Sequence, residues 1–139
     1  MASGAVSAAF ETKLATWSNI SACPLVDANT IAETPAAPPF IELEYPYSTE
    51  DRESIGDNAL FRENGGVRFV ITVKAFAPGW KATVRAWVEE IRDLFSAWEF
   101  ASGEGEVLSV SPPVFDDANR DGNRYRVPFV AIYQYDRIR

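Results

Sequence analysis

The chain has 139 residues, one cysteine, no histidine and a formal net charge of −7. That length fits one domain, residues 1–139, able to bury a core without staples. The lone Cys23 excludes an internal disulfide, and the missing histidine removes the commonest general base and metal ligand. The acidic balance argues against a surface that grips nucleic acid. No apolar run approaches membrane-spanning length, and Met1 to Phe10 lacks the basic and apolar regions of a secretory signal.

Ser3 is placed to cap a first helix reaching about Ser18, with Val6, Phe10, Leu14 and Trp17 on one face. A proline-rich connection, Ala22 to Pro39, reads as irregular and delivers a short strand, Phe40 to Tyr45, which Pro46 closes. Tyr47 to Asn58 is polar and acidic and reads as a loop. In Val67 to Ala75 one face is wholly apolar, which predicts a half-buried strand. Asn64-Gly65-Gly66 before it predicts a hairpin turn, with Ala59 to Glu63 as the partner arm.

Pro78-Gly79 ends that strand. Val84, Trp87, Val88, Ile91, Phe95 and Trp98 then recur at helical spacing from about Trp80, with Arg85 and Glu89 placed to pair on the outer side. Burying that stripe against the sheet is worth on the order of 10 kcal/mol. Gly103 and Gly105 end the helix, Glu106 to Val110 is a short strand, and Ser111-Pro112-Pro113 stops it. Arg124 to Tyr135 is the last strand, and the internal Pro128 predicts an edge or a bulge. The sum is an α+β fold: an antiparallel or mixed sheet of about four to five strands, with two helices packed on one face.

Chemical signals are weak. Asp117-Ala118-Asn119-Arg120-Asp121-Gly122 matches half of a calcium loop, but the twelfth position, which needs a bidentate carboxylate, is Pro128. A hairpin turn explains Asp121-Gly122 better. Gly103-Glu104-Gly105-Glu106 carries carboxylates that repel phosphate. Glu89 and Glu90 point apart on a helix, and Asp116-Asp117 reads as a solvated turn. No serine has the setting of a nucleophile, and Cys23 reads as an inert small residue. Neither a catalytic site nor a metal or cofactor is expected. Trp80, at the helix start and off its main stripe, is a candidate interface anchor, or else packs on the Pro78 turn.

The order of segments is similar to the tail terminator (tail completion) proteins of long-tailed bacteriophages and phage-like particles. Thr16-Trp17-Ser18 closes a first helix, and Pro39-Phe40-Ile41-Glu42-Leu43 follows a wandering connection. Phe61-Arg62-Glu63-Asn64-Gly65-Gly66-Val67-Arg68-Phe69-Val70 leads into Ala75-Phe76-Ala77-Pro78-Gly79-Trp80 and a helix ending Ile91-Arg92-Asp93-Leu94-Phe95. Val127-Pro128-Phe129-Val130-Ala131-Ile132-Tyr133 closes the chain.

The resemblance implies a structural, non-enzymatic assembly protein. It implies a homo-oligomeric ring, a hexamer, that caps the tail tube, stops tube polymerisation and joins the head or neck proteins. It places the chain in the virion at the tail–neck junction, and in the host cytoplasm during assembly, with DNA passing through the pore without specific binding. Candidates for the partner or lumen surface are Glu50, Asp51, Arg52, Glu53 and Asp57, and for the ring interface Trp80, Arg124, Arg126 and Pro128. An edge strand at Arg124 to Tyr135 is one means of pairing across subunits. The alternatives are another neck or tail component, such as a head-closure or tube protein, or a small-ligand-binding module using the aromatic load.

Overall fold

The computed structural model describes residues 3–26, 39–56, 59–74, 78–115 and 120–138. Asp57, Ala75, the Asp116 to Asn119 part of the turn and most of the proline-rich connection lie outside the described residues. Two helices, α1 (Gly4–Leu14) and α2 (Trp80–Phe95), accompany strands β1 (Leu25–Val26), β2 (Phe40–Arg52), β3 (Leu60–Lys74), β4 (Glu99–Phe100), β5 (Gly105–Val110), β6 (Arg120–Asp121) and β7 (Arg124–Ile138).

The sheet runs β1-β2-β3-β7-β5-β4, with β6 paired to β7 off that path. Only β1 is parallel to its neighbour, so the sheet is mixed and larger than the four to five strands expected. The extra strands are two-residue pieces, too short to leave a periodic signal in sequence. The three long strands are built by long-range ladders: β2 pairs β3 from Phe40↔Thr72 to Arg52↔Phe61, and β3 pairs β7 from Leu60↔Ile138 to Lys74↔Arg124.

Both helices lie on one face, as the stripes predict. Ser3 caps α1, its Oγ accepting from Val6 N at 3.5 Å. Val6, Phe10, Leu14 and Trp17 are buried together with Val84, Val88, Ile91 and Phe95 of α2. The receiving sheet face is Ile41 and Leu43 of β2, Val67, Phe69, Ile71 and Val73 of β3, and Val127, Phe129, Ala131 and Tyr133 of β7. Phe10 stacks on Phe95 at 5.4 Å, and Phe69 stacks on Phe129 at 4.9 Å. Arg85 and Glu89 do not pair: Glu89 holds Arg92 at 2.9 Å and Arg85 lies over the Phe115 ring at 4.8 Å. Trp98 falls past the helix end yet meets Phe10 and Phe95, each at 5.3 Å. The turn that carries it back uses left-handed backbone at Ala97, and the turn after β4 does so at Ala101 and Ser102, at a cost of about 1–2 kcal/mol per residue.

Three local expectations fail for identifiable reasons. Asn64-Gly65-Gly66 is not a turn: β3 passes straight through it. The glycines are there for room, because a Cβ at Gly65 would lie 2.6 Å from Tyr133 Oη and one at Gly66 would lie 2.8 Å from the Tyr47 ring. Pro46 does not close β2, which continues to Arg52 past an irregularity between Glu44 and Tyr47. The true partner of the β3 arm is therefore Tyr47 to Arg52, expected to be loop.

Finally, β7 is central and not an edge. Val130 N donates to Ser111 Oγ at 2.8 Å, Ser111 N donates to Val130 O at 2.8 Å, and Val114 N donates to Pro128 O at 3.1 Å. Even-numbered residues of β7 therefore bond away from β3, so the missing N–H of Pro128 costs no β3 ladder bond. The Asp121-Gly122 hairpin turn does form, with Arg120↔Tyr125 and Asp121↔Arg124 in register and Gly122 at φ 61°.

One polar group is enclosed where α1 meets the sheet. Glu63, 4% exposed, accepts from Tyr133 Oη at 2.6 Å and from Ser3 N at 3.3 Å. Burial pushes the Tyr133 phenol well above its ordinary range, and the hydrogen bond to Glu63 and that carboxylate's charge push it further. A raised acid favours the folded state fully below the free tyrosine value of 10.0, and loses that contribution as pH climbs beyond it.

Two outcomes follow. Phe10→Ala should lower stability by about 3–5 kcal/mol in denaturant unfolding; a loss below about 1 kcal/mol would contradict the packing described. In an ultraviolet alkaline titration, one of the five tyrosines should ionise only as the chain unfolds, and Tyr133→Phe should leave the pre-unfolding curve unchanged. Removal of an ordinary titration step by that variant would contradict the buried site.

Candidate assembly surfaces

Apart from Asp57, outside the described residues, and Pro128, opposite Val70, the residues singled out from sequence fall toward the two ends of β3. Leu60 and Lys74 bound that strand, roughly 45 Å apart at 3.3 Å per residue. At the Leu60 end, β2, β3 and β7 run on together as a three-stranded arm, and residues 49–56 are all exposed. Glu50, Asp51 and Arg52 are thus strand residues, and Glu53 starts the turn.

The arm is laced by ion pairs. Arg62 holds Asp136 through two hydrogen bonds, of 2.8 and 3.1 Å, and Arg137 holds Glu50. The Asp136 bond raises the Arg62 guanidinium further above its usual range. Such surface pairs are screened by water and add little to stability, so they set orientation more. Sequence reading had no signal for these pairs, which join residues 74 and 87 positions apart.

The opposite end is basic and aromatic. Trp80 is half-buried, its ring tilted against Tyr125 at 4.6 Å and lying 6.2 Å from Phe115. Its ring contacts Tyr125 of β7 and shares a depression with Pro78. Lys81 Nζ lies 5.5 Å from the Trp80 ring centre, and the Arg124 guanidinium lies 5.9 Å from that of Phe40. Arg126 and Arg68 share Glu44, at 3.3 and 2.8 Å. Pro128 is half-buried in the interior of β7. An apolar depression of about 200 Å³ beside Trp80 is lined by Val73, Pro78, Val84 and Trp87, with Lys74 on it. Lys81 and Arg85 were not among the sequence candidates; their i, i+4 placement on the exposed side of α2 was the available signal.

Chemistry has little to work with here. Among the described residues no cluster of three carboxylate or thiol groups is placed to hold a metal. Glu90 accepts from Trp17 Nε1 at 2.9 Å and from Asn19, tying the end of α1 to α2. Cys23 is buried and its thiol is pushed up to about 12, which keeps it protonated and unreactive. A second depression, about 420 Å³, between α1 and Trp98 is lined by alanines, threonines and Lys13, without the convergent polar groups of a ligand site. No described helix is long and apolar enough to cross a membrane. Among the described residues the strand paired on the outer side of β2 is β1, at Ile41 and Glu42.

No curated protein is similar enough to the sequence to match. A solved structure whose name carries no function superposes with a TM-score of 0.60 at 22% identity, covering 97% of this chain and 96% of that one, which shows a shared fold. The family model described as phage tail terminator protein matches residues 5–133. With the match reaching both described helices and every described strand, this chain belongs to the phage tail terminator family, and so to the structural proteins of phage tails.

Proposed function

We infer that this protein ends the phage tail: copies of it close into a ring on the finished tube, stop further polymerisation and present the surface that joins the head or neck. The observation that carries this is the family match along residues 5–133. The fold is in keeping with it. Its chemistry-bearing side chains sit on projecting surfaces, at an arm and an opposite basic end, where neighbours rather than substrates would meet them.

In this reading the partners are other copies of the chain, as a hexamer, then the tube protein, then a head-completion or neck protein. The ring sits at the tail–neck junction of the virion and is put together in the host cytoplasm. DNA passes through it without specific binding, in keeping with a net charge of −7. The arm carboxylates remain candidates for a lumen or partner surface, with Glu50 already engaged by Arg137. Trp80, Arg124, Arg126 and Pro128 remain ring-interface candidates, by side-chain contact and not by strand pairing along β7. No covalent step belongs to this role.

Electron microscopy of particles from a strain lacking the protein tests it. Tubes of uncontrolled length without heads are expected, restored to normal by supplying the chain. Normal-length headless tails would overturn the terminator role in favour of a neck component.

A further inference from the structure

The arm tip and the basic end are complementary, yet one molecule cannot bring them together, because they terminate opposite ends of the same strand. The tip is built with care. Arg52 donates from Nε to Ser54 O at 2.9 Å and from Nη2 to Gly56 O at 3.0 Å. Leu60 N donates to Ser54 Oγ at 2.7 Å, and Glu53 N donates to Leu60 O at 2.8 Å. These bonds fix a turn that presents Ile55 at 99% exposure, next to the exposed carboxylates of Asp51 and Glu53. Neither carboxylate forms an ion pair among the described residues.

At the other end, Lys81 and Arg85 are exposed and rest on the rings of Trp80 and Phe115, again without an ion pair among the described residues. A ring face does not neutralise a cation as a carboxylate does, so this charge is left for a partner. On the same end, bordered by Trp80 and Lys74, lies the depression of about 200 Å³, which has room for one aliphatic side chain.

We propose that the β2–β3 hairpin tip of one copy docks on the Trp80 end of the next, with Ile55 entering the depression and Asp51 and Glu53 facing Lys81 and Arg85. This rests on the ring reading and supplies its contact. The two patches differ, so the interface is head-to-tail, and repetition closes it into a ring when the rotation per copy allows. Opposite charge at the two patches favours that order and disfavours tip against tip.

The test uses two full-length variants, Asp51→Lys/Glu53→Lys and Lys81→Glu/Arg85→Glu, in a strain lacking the native protein. Tubes crowned by the ring are counted by electron microscopy, and circular dichroism checks that each variant keeps the wild-type fold. Each variant alone should crown tubes about tenfold less often than wild type. Expressed together they should recover, because a ring that alternates the two matches opposite charges at every contact. Normal crowning by either variant alone, or a loss that co-expression leaves unrepaired, would overturn the contact while leaving the terminator reading standing. Normal crowning by the Lys81→Glu/Arg85→Glu chain with weakened binding of a double-stranded DNA fragment would assign the basic end to DNA and overturn it likewise. A wild-type chain that never crowns the tube would remove the ring reading itself.

Discussion

Everything in this fold turns on where the Phe10 ring sits. Its centre lies 5.3 to 5.8 Å from the rings of Trp98, Phe95, Phe100 and Tyr133, and 6.4 Å from Phe69. One side chain therefore touches α2, the turn after it, β4, β3 and β7. An α1-length helix alone is marginal in water, and α2 needs the same face of the sheet. The shared aromatic cluster makes the two helices and the sheet one cooperative unit, with α1 running from Glu63 down to Trp87 and α2 returning.

That clamp covers only part of the sheet. Beyond Glu63 and Tyr135 the long strands leave the helices behind and continue as the arm, held by Arg62–Asp136 and Arg137–Glu50. The arm is thus rigid enough to present a tip but contributes little to the core. A domain of this kind keeps its stability in one region and its contacts in another. That division suits a protein whose work is to fit against neighbours, and it leaves the clamp free of functional compromise.

The parts of the fold that repeat were readable from sequence. Helical stripes at Val6, Phe10 and Leu14 and at Val84, Val88, Ile91 and Phe95 lie where the spacing puts them, as does the alternation from Val67 to Val73. What failed was punctuation. Gly65-Gly66 looks like a turn because glycine suits turns, but here it makes room for two tyrosines from distant segments, Tyr47 and Tyr133. Pro46 and Pro128 look like strand breakers, but an irregular pairing and an outward-facing nitrogen accommodate them. Each case depends on a partner far away in the chain, which local pattern does not encode. The candidate surfaces were half legible for the same reason. The acidic run Glu50 to Glu53 stands out in sequence, whereas its relation to Lys81 and Arg85 follows only from the length and register of β3.

Hydrogen exchange of the native protein, read peptide by peptide, tests the clamp most directly. Amides of α1, α2, Val67 to Val73 and Val127 to Tyr133 should open together at the highest free energy, with residues 49–62 exchanging first and separately. Exchange of α1 well before the sheet would contradict the account, because it would show the sheet and α2 standing without the Phe10 anchor.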